Sequence, residues 1–451
     1  MKNNSFKEIL REVPFYSRFL KLNEIDSLTK KFQHESSLEK RTIGQTVEKE
    51  PINMYVLGSG KKTAMIIGVP HSDEPLGSLV TTYFIKWMIT HPEADFFQWR
   101  WLIIPVLERR GLRMNEGWFN DSSSLGSMAK SHFREPVEDQ YEWTFPFKYK
   151  NYQWTHSRPE ADAVKETLKS EKPDLLCGLH HVAFYNTYYY FSKDLPEAYP
   201  RLRELAKTLK LPFSEQAPDV PFGKALAPGF YQMYGLKDYW DYYSKNEPEK
   251  LSRLKRGACS DEWYEDTIGG FSFNCEVPLF QSSVNKDNAA SERNLKELLE
   301  SKKRKNLVNV QYYEELLGKL EPFFAFSNPL LLNSVLKSVA SAKLLLEDSV
   351  SKKKPVEDRK ATNFEVFEND IMADINDLLL LGQIWRVANY VFSTTKEPRT
   401  ISLMKTVDQK MSTLSESISR RVRFVPIPLQ RLVKMQLGST LVIADVLLNS
   451  V

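Results

Sequence analysis

The stretch Thr63-Ala-Met-Ile-Ile-Gly-Val-Pro70-His71-Ser-Asp-Glu74 begins the part of the chain that decides its fold. Its first half is a short apolar run, which predicts a buried strand over 63–70. The residues that follow, 75–90, place apolar side chains at helical spacing and predict an amphipathic helix. A buried strand followed directly by a helix is typical of an α/β unit. The sequence therefore places His71 and Glu74 between a strand and a helix.

Apolar runs continue to alternate with amphipathic stretches along the N-terminal part of the chain. Further strands are predicted over 101–106, 173–179, 186–191 and 270–277, and further helices over 159–170 and 196–210. Strands that alternate with helices indicate an α/β fold, in which a mostly parallel mixed sheet is flanked by helices on both faces.

The strand signals end at about residue 284. Beyond it, helical patterns are predicted over 289–302, 308–320, 328–346, 364–392 and 403–420. We therefore predict three segments along the chain. They are a helical N-terminal preface over 1–48, an α/β domain over 49–283, and a C-terminal all-helical region over 284–451.

The composition is that of an ordinary globular protein. The 451 residues include 62 Lys and Arg against 58 Asp and Glu, and this formal net charge of +4 is too weak to indicate a nucleic-acid partner. The three cysteines include no CxxC pair, so they predict neither a disulfide framework nor a paired-thiolate metal site. The N-terminus lacks the apolar segment of a secretory signal, and no apolar run reaches the ~18 residues that span a bilayer. We expect a soluble, cytoplasmic protein with no membrane partner.

Polar side chains follow or end three of the predicted strands. His71 and Glu74 come after the first strand, His180 after the 173–179 strand, and Glu276 near the end of the last. Because ligands bind outside the carboxyl ends of the strands in an open α/β sheet, these side chains are expected to meet. Two histidines and a glutamate can hold a catalytic zinc ion with one position left for water, and a separate glutamate can move protons. We predict one zinc ion on His71, Glu74 and His180, with Glu276 as general base and acid.

The order and context of these motifs resemble the zinc metallocarboxypeptidases of the carboxypeptidase A type, over about residues 53–278. That family carries HxxE after a strand, a second histidine at the end of a later strand, and a catalytic glutamate near the end of an aromatic-rich strand. The resemblance implies that the domain over 49–283 hydrolyses peptide or amide bonds. In such enzymes a zinc-activated water attacks the scissile carbonyl.

The resemblance also implies substrate-binding residues. The family has an arginine that polarises the scissile carbonyl, and Arg113 or a near neighbour is the candidate here, because an oxyanion needs a fixed donor and arginine is always protonated. The resemblance places Asn115 on an asparagine that holds the substrate's terminal carboxylate, and Arg109, Arg110 or Arg113 could take over from the family's carboxylate-binding arginine. Glu116 departs from the pattern, because it falls where the family has a carboxylate-binding arginine, and a glutamate repels a free carboxylate. Tyr264 is the candidate phenol that closes over the substrate.

Two other hypotheses compete with a carboxypeptidase. Glu116 favours an amidohydrolase or deacylase that acts on an N-acyl amino acid or a small-molecule amide with the same scaffold. An interaction protein is the third hypothesis, in which the helical region is the working part and the α/β domain a zinc-binding relic. The intact set of four catalytic-type residues argues against it. The predicted partner is thus a peptide or amide substrate.

Overall fold

The computed structural model describes residues 3–32, 35, 37–121, 124–214, 220–282, 284, 288–351 and 357–449. The chain forms two compact units. The first consists of Met1–Arg113, Val137–Phe280 and Ile427–Val451, and the second of Met114–Pro136 and Gln281–Pro426. The division at residue 280 lies close to the predicted boundary. Two segments nevertheless depart from chain order. Met114–Pro136 belongs to the second unit, and Ile427–Val451 belongs to the first.

A ten-stranded mixed sheet forms the centre of the first unit. In chain order its strands are β1 (Leu38–Gln45), β2 (Pro51–Leu57), β3 (Lys62–Ile67), β4 (Trp99–Ile104), β7 (Leu175–Gly178), β8 (His181–Val182), β9 (Tyr188–Phe191), β10 (Ala225–Ala227), β11 (Phe230–Gln232) and β12 (Phe271–Pro278), while β5 (Phe147–Tyr149) and β6 (Tyr152–Trp154) form a separate hairpin.

The spatial order of the sheet is β1-β2-β4-β3-β7-β12-β9-β11-β10, with β8 beside β12. The four central strands β4, β3, β7 and β12 run parallel. The outer strands β2 and β9 pair antiparallel with β4 and β12. A mixed sheet with a parallel centre confirms the predicted α/β fold class.

Fifteen α-helices lie in the described part of the chain. They are α1 (Asn3–Glu12), α2 (Leu22–Phe32), α3 (Leu76–Thr90), α4 (Arg109–Asn115), α5 (Leu125–Ser131), α6 (Pro159–Glu171), α7 (Tyr199–Thr208), α8 (Leu236–Asn246), α9 (Ser260–Thr267), α10 (Leu295–Leu320), α11 (Pro329–Ser351), α12 (Asn363–Val366), α13 (Met372–Thr395), α14 (Pro398–Arg421) and α15 (Leu429–Asn449). Helices α5 and α10 to α14 belong to the second unit, which is therefore helical as predicted. It also contains a ribbon that pairs Ala290–Asn294 with Lys360–Thr362, and a short pairing of Phe280–Gln281 with Val425–Pro426 lies at its boundary.

The two faces of the central sheet differ in what covers them. Helix α15 packs against α3, α7 and β12, and its Ser439 and Thr440 contact Cys275 and Cys177 on one face. A helix that is apolar over most of its surface is stable only when buried, and the first unit is what buries α15. Helices α6 and α9 lie on the other face, where side chains alternate to the opposite side of each strand.

The N-terminal segment differs from the prediction of a purely helical preface. Helices α1 and α2 are present, but Leu38–Gln45 forms the edge strand β1, antiparallel to β2. Its sequence, LEKRTIGQ, is mostly polar and incompletely buried. Charged residues are normal on an edge strand, and they hide the alternation that would have marked it.

Two helices are long and apolar enough to cross a membrane by length and composition, namely Pro329–Glu347 and Leu429–Asn449. The expectation that no stretch reaches this length is therefore wrong. The second of them is mostly buried in the first unit, as a core helix is.

Candidate metal and active site

The turns after β3 and β7 emerge side by side at one edge of the sheet. Ile67 pairs with Gly178 in parallel register, and the amide of Leu179 donates to the carbonyl of Ile67 at 3.0 Å. After β3 the chain bends sharply at Val69, whose φ of 53° is unusual for a β-branched residue. The carbonyl of Val69 accepts a hydrogen bond from the amide of Glu108 at 3.1 Å, which holds this bend. The strained turn delivers His71 to the end of β7.

The structure brings together the three predicted ligands. The ring centroids of His71 and His180 are 5.0 Å apart and tilted by 50°. Nδ1 of His180 lies 3.0 Å from Oε2 of Glu74, and that oxygen also accepts from the amide of His181 at 3.4 Å. His71, Glu74 and His180 are all buried.

A fourth side chain, Glu142, joins this site. It comes from a short 3₁₀ turn, Tyr141–Trp143, and only 3% of it is exposed. The ligand atoms of His71, Glu142 and His180 lie within 4.8 Å of one another. Among the described residues, the group of two histidines and a glutamate that meets this distance contains Glu142, whereas Glu74 contacts Nδ1 of His180. We refer to His71, Glu74, Glu142 and His180 as the histidine cluster.

Gly178 makes room for the imidazole of His180. A Cβ atom at this position would lie 2.8 Å from Nε2 of His180 and 3.2 Å from Oδ1 of Asn274. Only a residue without a side chain lets the ring fold back over the end of β7.

The charges in the histidine cluster act strongly on one another. Burial lowers the pKa of His180, but the carboxylates of Glu74, Glu276 and Glu142 outweigh it and raise the pKa to about 10. Burial raises the pKa of Glu142 to about 7, with His180 and Ser260 opposing the shift and Asp261 adding to it. Carboxylates and imidazoles that are buried this close together are suited to a divalent cation, which can balance the charges of Glu74 and Glu142 at once.

Glu276 lies on β12, directly opposite Tyr188 on β9. The next residue, Val277, pairs with His181, so the carboxylate of Glu276 is carried to the same sheet edge as the histidine cluster. Its charge contributes to the raised pKa of His180. Unlike the buried cluster, Glu276 is partly exposed, which leaves it open to water and substrate.

Arg113 is committed to another partner. Its guanidinium pairs with Glu50 at 2.5 Å, in the hairpin that joins β1 to β2. The neighbouring Arg109 pairs with Glu50 and Asp26, and Arg110 pairs with Glu48. The structure therefore does not join Arg113 to the histidine cluster, and its predicted role as carbonyl-polarising residue stays a prediction.

Asn115 and Glu116 belong to the second unit. Asn115 is fully buried, donates to the carbonyl of Phe133 at 2.8 Å, and accepts from the amide of Phe133 and the indole of Trp118. These bonds fasten the segment around α5 and give Asn115 a structural role in place of the predicted substrate contact. Glu116 begins a 3₁₀ turn, Glu116–Asp121, and is half-buried. Its role in specificity stays a prediction.

Tyr264 does not reach the site. It is completely buried among the side chains under the sheet, and its hydroxyl donates to the carbonyl of Pro173 at 2.6 Å. Pro173 precedes β7, whereas His180 follows it, so the phenol points to the opposite end of that strand. The substrate-closing role is therefore withdrawn.

Four polar residues near the histidine cluster were not found from the sequence: Glu142, Cys259, Asp261 and Asn274. Glu142 lies between two aromatic residues in a short turn, and Cys259 and Asp261 flank the start of α9. Asn274 lies two residues before Glu276 on β12, so the two side chains face the same side of the sheet. This spacing is the sequence signal that points to Asn274. A single cysteine such as Cys259 forms no CxxC motif that a sequence pattern could single out.

No protein-family model matches the chain, and no curated protein matches it significantly. Solved structures to which it is similar include a proposed metallopeptidase from Shewanella denitrificans, at 13% identity over 59% of this chain and 88% of that one, with a TM-score of 0.39. A metallo-carboxypeptidase from Burkholderia cenocepacia is similar at 13% identity over 57% and 60%, with a TM-score of 0.36. A carboxypeptidase A from Helicoverpa armigera is similar at 13% identity over 59% and 66%, also with a TM-score of 0.36.

Proposed function

We propose that the chain is a zinc-dependent hydrolase of peptide or amide bonds. The observation that carries this proposal is the meeting of His71, His180 and a glutamate at the carboxyl ends of adjacent parallel strands, with Glu276 at the rim. Imidazole and carboxylate donors are the set that zinc uses in catalytic sites. A set of three protein ligands leaves a coordination position open.

The residues divide the chemistry between them. A zinc ion bound here would supply a Lewis acid that acidifies the attacking water and polarises the carbonyl. The carboxylate of Glu276 accepts the proton of that water and returns it to the leaving amine. The buried histidine cluster keeps its geometry because Glu74 bonds Nδ1 of His180.

Either Glu74 or Glu142 can serve as the third ligand, although the sequence motif predicts only Glu74. Replacing each glutamate by glutamine in turn keeps the shape and removes the charge. The variant that lacks the true ligand should lose zinc at free-zinc concentrations at which the other variant still binds it. Metal content after dialysis and zinc-dependent turnover of an amide substrate measure this difference. Unchanged metal content in both variants and in His71→Ala would contradict the proposal.

An amide that presents no free carboxylate to Arg113 or its neighbours is the substrate class that the ion pairs favour. Arg109, Arg110 and Arg113 all form ion pairs with acidic residues of the same unit, so none is reserved for a terminal carboxylate. This favours the deacylase alternative, which acts on an N-acyl amino acid or a small-molecule amide. Turnover of matched free-acid, amidated and N-acylated substrates distinguishes the two, and a strict demand for a free C-terminus would restore the carboxypeptidase.

Cytoplasmic location, the lack of a nucleic-acid or membrane partner, and a specificity role for Glu116 remain predictions of the sequence. For Glu116, the variant Glu116→Arg should improve turnover of free-carboxylate peptides relative to their amides. An unchanged preference would remove Glu116 from the site.

A further inference from the structure

A second group of metal-ligating atoms adjoins the histidine cluster. The ligand atoms of Glu142, Cys259 and Asp261 lie within 4.8 Å of one another, and all three residues are buried. Ser260 fastens the two elements that carry them, since its amide and hydroxyl donate to Oε1 of Glu142 at 3.2 and 2.6 Å. Sγ of Cys259 accepts from the amide of Glu262 at 3.3 Å, at the start of α9. The group is thus held by rigid structure.

Two buried oxygen atoms, one within this group and one between it and His180, are signs of a missing ligand. Oδ1 of Asp261 and Oδ1 of Asn274 are buried and have no hydrogen-bond partner within the described ranges, although the side chains of Asn274 and Ser272 both donate to the carboxylate of Asp261. The amide nitrogen of Asn274 donates to Oδ2 of Asp261 at 3.2 Å, which fixes the orientation of the asparagine. Its oxygen then lies toward the imidazole of His180, beside Gly178. Buried acceptors without donors are rare in native proteins and call for an explanation.

We propose that Glu142, Cys259 and Asp261 hold a second divalent metal ion, with Glu142 bridging it to the ion on His71 and His180. A thiolate with two carboxylates suits zinc. A shared carboxylate is consistent with two-metal sites, whose ions lie about 3.5–4 Å apart. Cys259 must lose its proton when the metal binds, because the thiolate is the ligand. The second site is independent of the proposed function, and only the bridge rests on it.

The test uses the full chain, stripped of metal and titrated with Cd²⁺, whose bond to a thiolate gives an ultraviolet charge-transfer band. The wild type should take up two ions per chain and show the band. Cys259→Ser and Asp261→Asn should each take up one ion, and Cys259→Ser should lose the band. Cys275→Ser is the matched control, because Cys275 is also buried but contacts Ser439 on the opposite face of the sheet. It should keep both ions and the band.

His71→Ala separates this proposal from the proposed function. It should lose one ion and keep the thiolate band. Loss of an ion in Cys259→Ser but not in His71→Ala would support the second site and contradict the first. The second site would be overturned if the wild type bound one ion without a band and His71→Ala lost that ion. The carboxyls of Glu142 and Asp261 would then be held together by shared protons. A band that persists in Cys259→Ser would also overturn it.

Discussion

The first unit contains two groups of buried carboxylates, and they are neutralised in different ways. In the arginine cluster, Arg158 lies 2.9 Å from Glu108 and 3.0 Å from Glu160, and all three are nearly inaccessible. The amides of Tyr141 and Val47 donate to the two glutamates as well. In the histidine cluster, the cationic group that acts on the carboxylates is the imidazole of His180.

The difference indicates which cluster supports the fold and which supports chemistry. A guanidinium is always protonated and offers several donors in a fixed plane, so the protein itself supplies the permanent positive charge of the arginine cluster. An imidazole carries at most one charge and can give it up, and His180 faces more than one acid. The histidine cluster therefore has an excess of negative charge that a divalent cation can balance.

The largest effect is expected at the rim of the histidine cluster. Glu276→Gln removes the group that accepts and returns the proton, so turnover should fall by about 10²–10⁴. Metal content should not change, because the predicted ligands remain. Near-normal turnover of the glutamine variant, measured at saturating substrate, would exclude Glu276 as the base.

The arginine cluster should respond in stability alone. Arg158→Met leaves two buried glutamates uncompensated and should lower the free energy of unfolding by about 3–5 kcal/mol. The matched control is Arg100→Met, which breaks a more exposed pair with Glu171 worth about 0–1 kcal/mol. Urea unfolding with and without zinc measures both. If added zinc restored the free energy of unfolding of Arg158→Met but not that of Arg100→Met, the distinction between the two clusters would be wrong.

The stability of the metal-free chain should decrease as pH rises. The pKa of Glu142 is raised from 4.5 to about 7 on folding, so the folded state binds more protons, and stability is lost between these values, by up to about 3 kcal/mol. His180 adds a loss between 6.5 and about 10, because its pKa is also raised. With zinc present, the free energy of unfolding should instead increase with pH in the acidic range, because protons compete with zinc for the ligand atoms. Unfolding midpoints of the wild type and Glu142→Gln across pH test this, and identical profiles would contradict it.

The smallest effect tests the space around His180. Gly178→Ala places a methyl group against Nε2 of His180, and displacing the ring should weaken zinc binding about 10–100-fold. Gly318→Ala, in helix α10, meets no atom within 4 Å and serves as the control. Equal zinc affinity in the two variants would show that the orientation of His180 is not set by Gly178.

The sequence predicted most of the sheet and part of the site. Strand-end motifs placed His71, Glu74 and His180 together because adjacent parallel strands end at the same edge. Strand β1 was missed because an edge strand needs no apolar pattern. Helix α15 was assigned to the C-terminal region because an apolar pattern does not reveal which core the helix enters.

Site residues outside the strands could not be predicted in the same way. Glu142 lies on a 3₁₀ turn without periodicity, and its contact with His180 spans distant parts of the chain. Tyr264 lies close to Glu276 in sequence, but helix α9 directs its side chain into the core. The resemblance predicts a substrate contact for Asn115, but a buried amide can equally fasten a loop, as it does here.

The central claim is that a metal ion lies between His71 and His180. Anomalous diffraction at the zinc edge, from crystals of the full chain grown with zinc, locates such an ion directly. The account predicts a peak about 2.0–2.1 Å from a ring nitrogen of each histidine, with the oxygen of Glu74 or Glu142 as third ligand. Zinc peaks found only elsewhere on the protein, with the two imidazoles bonded solely to carboxylates, would contradict it.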